Sequence, residues 1–199
     1  MTRFKPTKAT MLKKLTFMAA VVFASNALAA PLAPHVDTFD DAANNQLNLP
    51  RQLLTDAVMG GGSSATQSIE KGVVTLQGEI VPARGQLGWV SYVLPLDIEG
   101  GAQDASPYEG VLLRVKLAKG NLSVSVNSAE VTNFDYHAAP ITVTQDGEFH
   151  EVKVPFASLK RAWSEQTPLN PQTVNGISIV AYAVQPEPFE VALDSVSFY

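Results

Sequence analysis

The sequence predicts an all-β protein, an antiparallel β-sandwich of jelly-roll type, on three observations. Apolar and polar residues alternate over a series of short runs, the signature of half-buried strands. Gly, Pro, Asn and Asp punctuate the chain between those runs. After the first thirty residues no stretch repeats its apolar residues at helical spacing, apart from a possible turn over 156–161. About nine short strands with such punctuation fit a sandwich better than any mixed fold.

Taken in order, the chain opens on a targeting segment. Arg3, Lys5, Lys8, Lys13 and Lys14 precede an apolar run from Leu15 to Ala24, and Ala27-Leu28-Ala29 supplies small residues for cleavage. A basic n-region, an apolar h-region of about ten residues and an A-x-A site make a secretory signal peptide over 1–29. The run is shorter than the ~18–20 residues that span a bilayer as a helix, so no integral membrane segment is expected in the mature chain. Cleavage is placed between Ala29 and Ala30. Met11 offers a second start, because Met11-Leu12-Lys13-Lys14 alone completes an n-region. The mature protein is expected in the periplasm or outside the cell.

Removing this segment changes the charge. Five of the 14 Lys and Arg leave with it, so nine remain against 19 Asp and Glu, and the formal charge moves from −5 to about −10. An acidic surface repels polyanions and argues against nucleic acid as a partner. The absence of cysteine rules out disulfides, thiolate metal sites and thiol nucleophiles.

Residues 30–36 read as an exposed leader, and 37–199 as one sandwich domain. Strands are expected at Val73–Ile80 and Gly88–Leu94. The runs 111–117 and 122–127 alternate on either side of a Lys119-Gly120-Asn121 turn and read as a hairpin. The runs 141–144 and 150–156 flank the turn Gln145-Asp146-Gly147. Residues 177–184 are apolar on both faces and are placed centrally. In the last strand Phe189, Val191 and Leu193 share one parity and Val196 and Phe198 the other, which predicts a bulge at Asp194-Ser195.

The densest local signal is Asp56-Ala-Val58-Met59-Gly60-Gly61-Gly-Ser63. Consecutive N–H groups in a glycine loop can form an anion nest. The alternative is a rigid turn with Asp56 accepting backbone N–H bonds and Val58 and Met59 plugging the core, and this structural reading is favoured. Ser63 and Ser64 lack the Gly-x-Ser-x-Gly context of a hydrolase, and His35, His137 and His150 show no metal-pair spacing. A hydrolase is therefore a remote alternative. Asp37 and Asp40 near the first strand, with Asp194 in the last, could offer oxygen ligands to a structural Ca²⁺, since first and last strands of a sandwich are often neighbours. Trp89, Tyr92, Tyr136 and Trp163 are candidates for a sugar-stacking platform, with Trp163 the most exposed.

The loop also resembles the Asp-x-Val-Met-Gly-Gly-x-Ser hallmark of the complex I intermediate-associated protein family. Gly88-Trp89-Val90-Ser91, Tyr108-Glu109-Gly110, Leu113-Arg-Val-Lys116, Val152-Lys-Val-Pro-Phe156 and Pro188-Phe189 through Asp194 resemble further family segments in order. Two departures stand out: the tryptophan shortly before the hallmark Asp is absent, and Tyr92-Val93 replaces an arginine after Ser91. The resemblance implies a galactose-binding-like jelly roll, akin to carbohydrate-binding modules, with no catalysis. It also implies a chaperone-like assembly role, which eukaryotic members perform on the matrix face of the inner membrane. The expected export signal points to the opposite side of the membrane. The resulting expectation is a non-enzymatic exported module binding a protein partner, with a carbohydrate-binding module as the alternative.

Overall fold

In the computed structural model, which describes Met1 and residues 32–199, the alternating runs form two antiparallel sheets packed face to face. The predicted signal peptide lies outside the described residues save for Met1. The strands are β1 (His35–Asp37), β2 (Gln52–Thr55), β3 (Ser64–Glu70), β4 (Val73–Ile80), β5 (Gly88–Pro95), β6 (Gly110–Lys119), β7 (Asn121–Ser128), β8 (His137–Ile141), β9 (His150–Pro155), β10 (Lys160–Arg161), β11 (Val174–Ala183) and β12 (Glu187–Phe198). The first sheet runs β3-β4-β12-β6-β9, with β1 also pairing β12. The second runs β10-β8-β7-β11-β5-β2.

Period-2 alternation decides what each sheet buries. Val111, Leu113, Val115 and Leu117 of β6 face Leu122, Val124 and Val126 of β7 and Ile177 and Ile179 of β11 across one continuous core running from Leu32 to Phe198. Full burial of each such side chain contributes roughly 1.5–3 kcal/mol, which is how a cysteine-free chain holds this fold. The phase break expected in the last strand is present: the register of β12 against β6 shifts between Leu193 and Ser195. The extra residue lets Phe189, Val191 and Leu193 and then Val196 and Phe198 all reach the core. β11 is central, flanked by β7 and β5.

Three expectations are corrected. The 111–117 and 122–127 runs are not a hairpin, because β6 pairs β12 and β9 while β7 pairs β11 and β8. Both strands bury one full face, and a tight corner at Gly120 lets them cover opposite sides of the same core. The 145–147 turn likewise crosses between sheets, from β8 to β9. The leader is not free. Leu32 and Val36 are buried, the Leu32 N–H donates to the Asp104 carbonyl, the Leu32 carbonyl accepts from the Tyr108 hydroxyl, and β1 pairs β12. Short polar strands β2 and β3 and the two-residue β10 carried too few apolar residues to read from sequence. Among the described residues no helix is long and apolar enough to cross a membrane.

Candidate functional site

The glycine loop after β2 is a brace. Asp56–Met59 forms a single 3-10 turn, capped by the Thr55 hydroxyl at its start and closed by Gly60 in the left-handed region (φ 84°). The buried Asp56 carboxylate accepts from the Ser63 N–H (3.0 Å), the Ser63 hydroxyl (2.8 Å) and the Trp89 N–H (3.2 Å). The Ser63 Oγ in turn accepts from the Val81 N–H (2.9 Å). One carboxylate thus ties the β2–β3 loop to the end of β4 and the start of β5. At Gly61 a Cβ would lie 2.2 Å from the Asp56 carboxyl carbon, so the carboxylate itself demands glycine there. The N–H groups of Gly60, Gly61 and Gly62 already donate to the carbonyls of Ala57, Asp56 and Val81, which leaves no anion nest. Ser63 is engaged with Asp56 and Val81 rather than with a histidine, so the loop lacks a nucleophile's partners. The expectation for Val58 and Met59 is overturned. They are 78% and 64% exposed at the tip of the turn, because the tight 3-10 geometry turns them outward while Asp56 fills the interior.

The three aspartates considered for calcium are committed elsewhere. Both oxygens of Asp37 bind the Arg51 guanidinium in a buried pair, with Arg51 also stacked over the Phe39 ring at 5.1 Å. Asp40 accepts from the Thr38 hydroxyl, and Asp194 pairs with Arg114 at 2.9 Å. β1 and β12 are neighbours, but a cation on Arg51 and another on Arg114 already neutralise the two carboxylates on them. Among the described residues no cluster of three His, Asp or Glu gathers to hold a metal.

Tyr92 leaves the ligand platform too. It is fully buried in the core, its hydroxyl has no partner among the described residues, and burial pushes its pKa up to about 12. Parity explains this, since Val90, Tyr92 and Leu94 point inward while Trp89, Ser91 and Val93 point outward. His150 sits on the edge strand β9, hydrogen-bonded to Asp146 across the turn.

The remaining aromatics converge on the outward face of the second sheet. The register places Ala138, Ser125, Ser178, Val93 and Gln52 side by side in one row across the strands. The next row is Pro140, Ser123, Val180, Ser91 and Leu54, and beyond it Asn121, Tyr182 and Trp89 line up. These side chains are mostly small and uncharged, and the row of Ala138 continues at the β10 edge to Lys160, an exposed lysine on the same side of the sheet. Ser125 and Ser178 point outward by parity yet are only 4% and 5% exposed, so taller neighbours shade them and the middle of the face is recessed.

Tyr136 shares the outward parity of Ala138 and Pro140 and stands at one rim of this trough. Trp163, 61% exposed, packs edge-on against it, with ring centroids 5.3 Å apart and planes at 88°. The pair is held by a feature invisible in the sequence. The buried Asp135 carboxylate accepts from the N–H groups of Tyr136 (2.8 Å), Ala162 (3.0 Å) and Ser164 (3.0 Å) and from Arg161 Nε (2.8 Å). Burial opposes ionisation of Asp135, but the bonds from Arg161, Ser164 and Tyr136 outweigh it and hold its pKa well below the usual carboxylate range. Next along the chain, His137 turns inward and donates from Nε2 to the Thr167 carbonyl (2.9 Å), fastening the far end of the same loop. Asp135 and Arg161 are 26 positions apart, so no local motif announces them. The only sequence cue is an acidic residue between two aromatics, Phe134 and Tyr136, and Phe134 stands fully in solvent at 93% exposure. At the opposite corner Trp89, half-buried, is positioned through its own N–H by the glycine-loop carboxylate.

Comparison with solved structures gives the same architecture. A family 11 carbohydrate-binding module from Clostridium thermocellum, in complex with a β-1,3-1,4-mixed-linked tetrasaccharide, matches with a TM-score of 0.62 at 14% identity over 83% of this chain and 94% of that one. The same family's module from the cellulosomal cellulase Lic26A-Cel5E of that organism matches with a TM-score of 0.60 at 15% identity, over 85% and 95%. Part of an agarase, AgWH50C, matches with a TM-score of 0.55 at 7% identity, over 82% of this chain but 24% of the agarase. At these identities the likeness shows the jelly-roll sandwich. Comparison with curated proteins gives no match. Residues 41–193 match the family model described as Complex I intermediate-associated protein 30 (CIA30), and the chain therefore belongs to the CIA30 family.

Proposed function

We propose that the protein is a non-enzymatic, exported binding module that holds a glycan on the outward face of its second sheet. The observation that carries this reading is the Tyr136–Trp163 pair, fixed by Asp135 at the rim of a recessed trough whose floor carries no charge. An exposed indole face offers CH–π contact to a pyranose ring, and a pre-ordered loop spares the entropy of arranging it on binding. The sandwich it shares with a module bound to a tetrasaccharide supports the reading. Electrophoresis through gels containing soluble polysaccharides tests it: at least one glycan should retard the protein, and Trp163→Ala should remove the retardation while leaving circular dichroism unchanged. Failure of every glycan class to retard the protein would overturn the reading. The export component is tested by N-terminal sequencing of the secreted product, expected to begin at Ala30.

A protein partner is the second reading, and it draws on the glycine loop. Val58 and Met59 are exposed on a turn braced by Asp56, and the register of Ala183 with Gly88 brings Val184 and Leu87, also exposed, to the same end of the sandwich. Exposed apolar residues gathered at one end, unlike ones scattered singly, are the composition of an interaction site. Affinity capture from the native envelope, comparing wild type with Val58→Asp/Met59→Asp, should recover a partner with wild type alone; equal recovery by both would remove this reading.

A further inference from the structure

Resting on the glycan reading, we propose that the ligand is an electrically neutral, extended polysaccharide chain, bound along the diagonal of the second sheet from Tyr136–Trp163 to Tyr182–Trp89. The first ground is where charge sits. The outward side of the first sheet carries Glu79, Arg114, Lys116, Glu151, Lys153 and Glu190, as expected for a solvated face. The outward side of β8, β7, β11, β5 and β2 carries no charged residue, and Lys160 on the edge strand β10 is the one charge in its rows, although 19 acidic and nine basic residues remain to be placed once 1–29 is set aside.

That pattern discriminates among sugars. A uronate or sulfated chain lowered into the trough would lose water from each anionic group, and only a facing cation could offset that cost. The nearest guanidinium, Arg161, is consumed by Asp135, and Lys160, in register with Ala138 at the β10 edge, is one cation at one end of the face, enough to meet a single anionic group there but not one on every ring. An amino sugar would need a facing carboxylate; Asp135 is wholly buried behind the aromatic pair with its oxygens filled, and Glu187, at the margin of the Trp89 corner, accepts from Asn121 Nδ2 at 3.5 Å. Neutral hydroxyls have partners instead: the half-buried Ser91 and Ser123 within the face, with Asn127 and Gln52 at its margins, offer hydroxyl and amide groups of matching polarity, while Ser125 and Ser178 lie too deep to be reached.

The second ground is geometry. From Tyr136 to Trp89 is three strand spacings across and six residues along, roughly 25 Å on a sheet. At about 5 Å per ring, an extended chain on the order of five pyranose units covers that diagonal. Two aromatic corners with a small-residue floor between them suit a ligand touching both ends. A compact sugar would use one corner only.

The test is calorimetric titration with a neutral β-glucan oligosaccharide series from two to six rings, and with the neutral polymer before and after oxidation of its primary alcohols to carboxylates. Affinity is expected to climb with length until about five rings. Carboxylation is expected to weaken binding more than roughly tenfold, and Trp89→Ala or Tyr182→Ala to weaken the five-ring ligand about tenfold and to end the gain in affinity at about two or three rings. Using both variants, each checked by thermal melting, guards against one that fails to fold. Equal or tighter binding of the carboxylated polymer, or a length dependence ending at two rings, would overturn this inference while a loss on Trp163→Ala kept the glycan reading intact. No binding of either polymer, with Trp163→Ala indifferent, would overturn the glycan reading and this inference with it.

Discussion

Asp135→Asn removes one charge and replaces one oxygen by an amide while keeping the side chain's shape, so it isolates what the clamp contributes. In the wild type each carboxylate oxygen accepts two bonds, Oδ1 from Tyr136 and Ala162 and Oδ2 from Arg161 and Ser164. An amide supplies one oxygen and must turn its NH₂ on the other pair of donors. The cheaper orientation keeps Arg161 and Ser164. Ala162 then still has the Tyr136 carbonyl at 3.1 Å, but the Tyr136 N–H is stranded. A stranded buried N–H costs about 1–3 kcal/mol and the lost charge assistance to Arg161 about 1 kcal/mol more, so the sum is about 3 kcal/mol. With a urea m-value of about 2 kcal/mol/M for this size, the unfolding midpoint should fall by about 1.5 M. Trp163 emission in a Trp89→Phe background reports the loop directly, since the protein has two tryptophans. If the loop opens more cheaply than 3 kcal/mol, its Trp163 transition should separate from global unfolding. The pH dependence supplies the sign. The folded pKa of Asp135 lies below the unfolded value of about 3.9, so its contribution is complete above that pH and is lost as pH falls through the folded value. The stability gap between wild type and Asp135→Asn should therefore be flat from pH 8 to about pH 5 and close below about pH 4. A midpoint shift under about 0.3 M, with unchanged Trp163 emission and glycan retardation, would refute the clamp.

Three further substitutions test other parts of the scaffold. Gly61→Ala places a methyl 2.2 Å from the Asp56 carboxyl carbon, and a loss of about 3 kcal/mol in chemical denaturation is expected as the Asp56 bonds give way. Tyr92→Phe deletes a buried hydroxyl without a partner among the described residues, so stability should hold or rise by about 1 kcal/mol, against the usual direction for a core change. Arg51→Met leaves the buried Asp37 carboxylate unpaired and should cost about 3–5 kcal/mol, seen as a lowered melting temperature; much of this should return when Asp37→Asn is added.

The strands were legible wherever alternation was long and strongly apolar. Val73–Ile80 was read to the residue, and the phase break at Asp194-Ser195 revealed a bulge because a side-chain period of two leaves a slipped residue nowhere to hide. Connectivity was less legible. The Lys119-Gly120-Asn121 corner has the composition of a hairpin turn, and only the distant pairing partners, Glu190 of β12 for Lys119 and Tyr182 of β11 for Asn121, show that it joins two sheets. The exposed Trp163 was visible in advance, but its support was not. Asp135 meets Arg161 and Ser164 only after β8 and the loop beyond β9 have been brought together, and no spacing encodes that meeting. Tyr92 misled for the complementary reason: composition marks it as an aromatic, whereas parity alone says which way it points.

That division bears on what the family motif means. Asp56, Gly60, Gly61 and Ser63 form the densest signal in the chain, and all four are spent on tying three segments together. Their link to the proposed glycan face is indirect, through the Trp89 N–H at one corner of it. In this chain the CIA30 motif therefore closes one end of the sandwich, and the face proposed to hold a glycan meets it only at Trp89. On that face the informative residues are the plain ones. A Glu or Arg at the half-buried Ser91 or Ser123 would suit an ionic ligand, whereas the uncharged hydroxyls there suit a neutral one. The same fold with the same brace could thus serve different partners through changes confined to the outward positions of β5, β7 and β11.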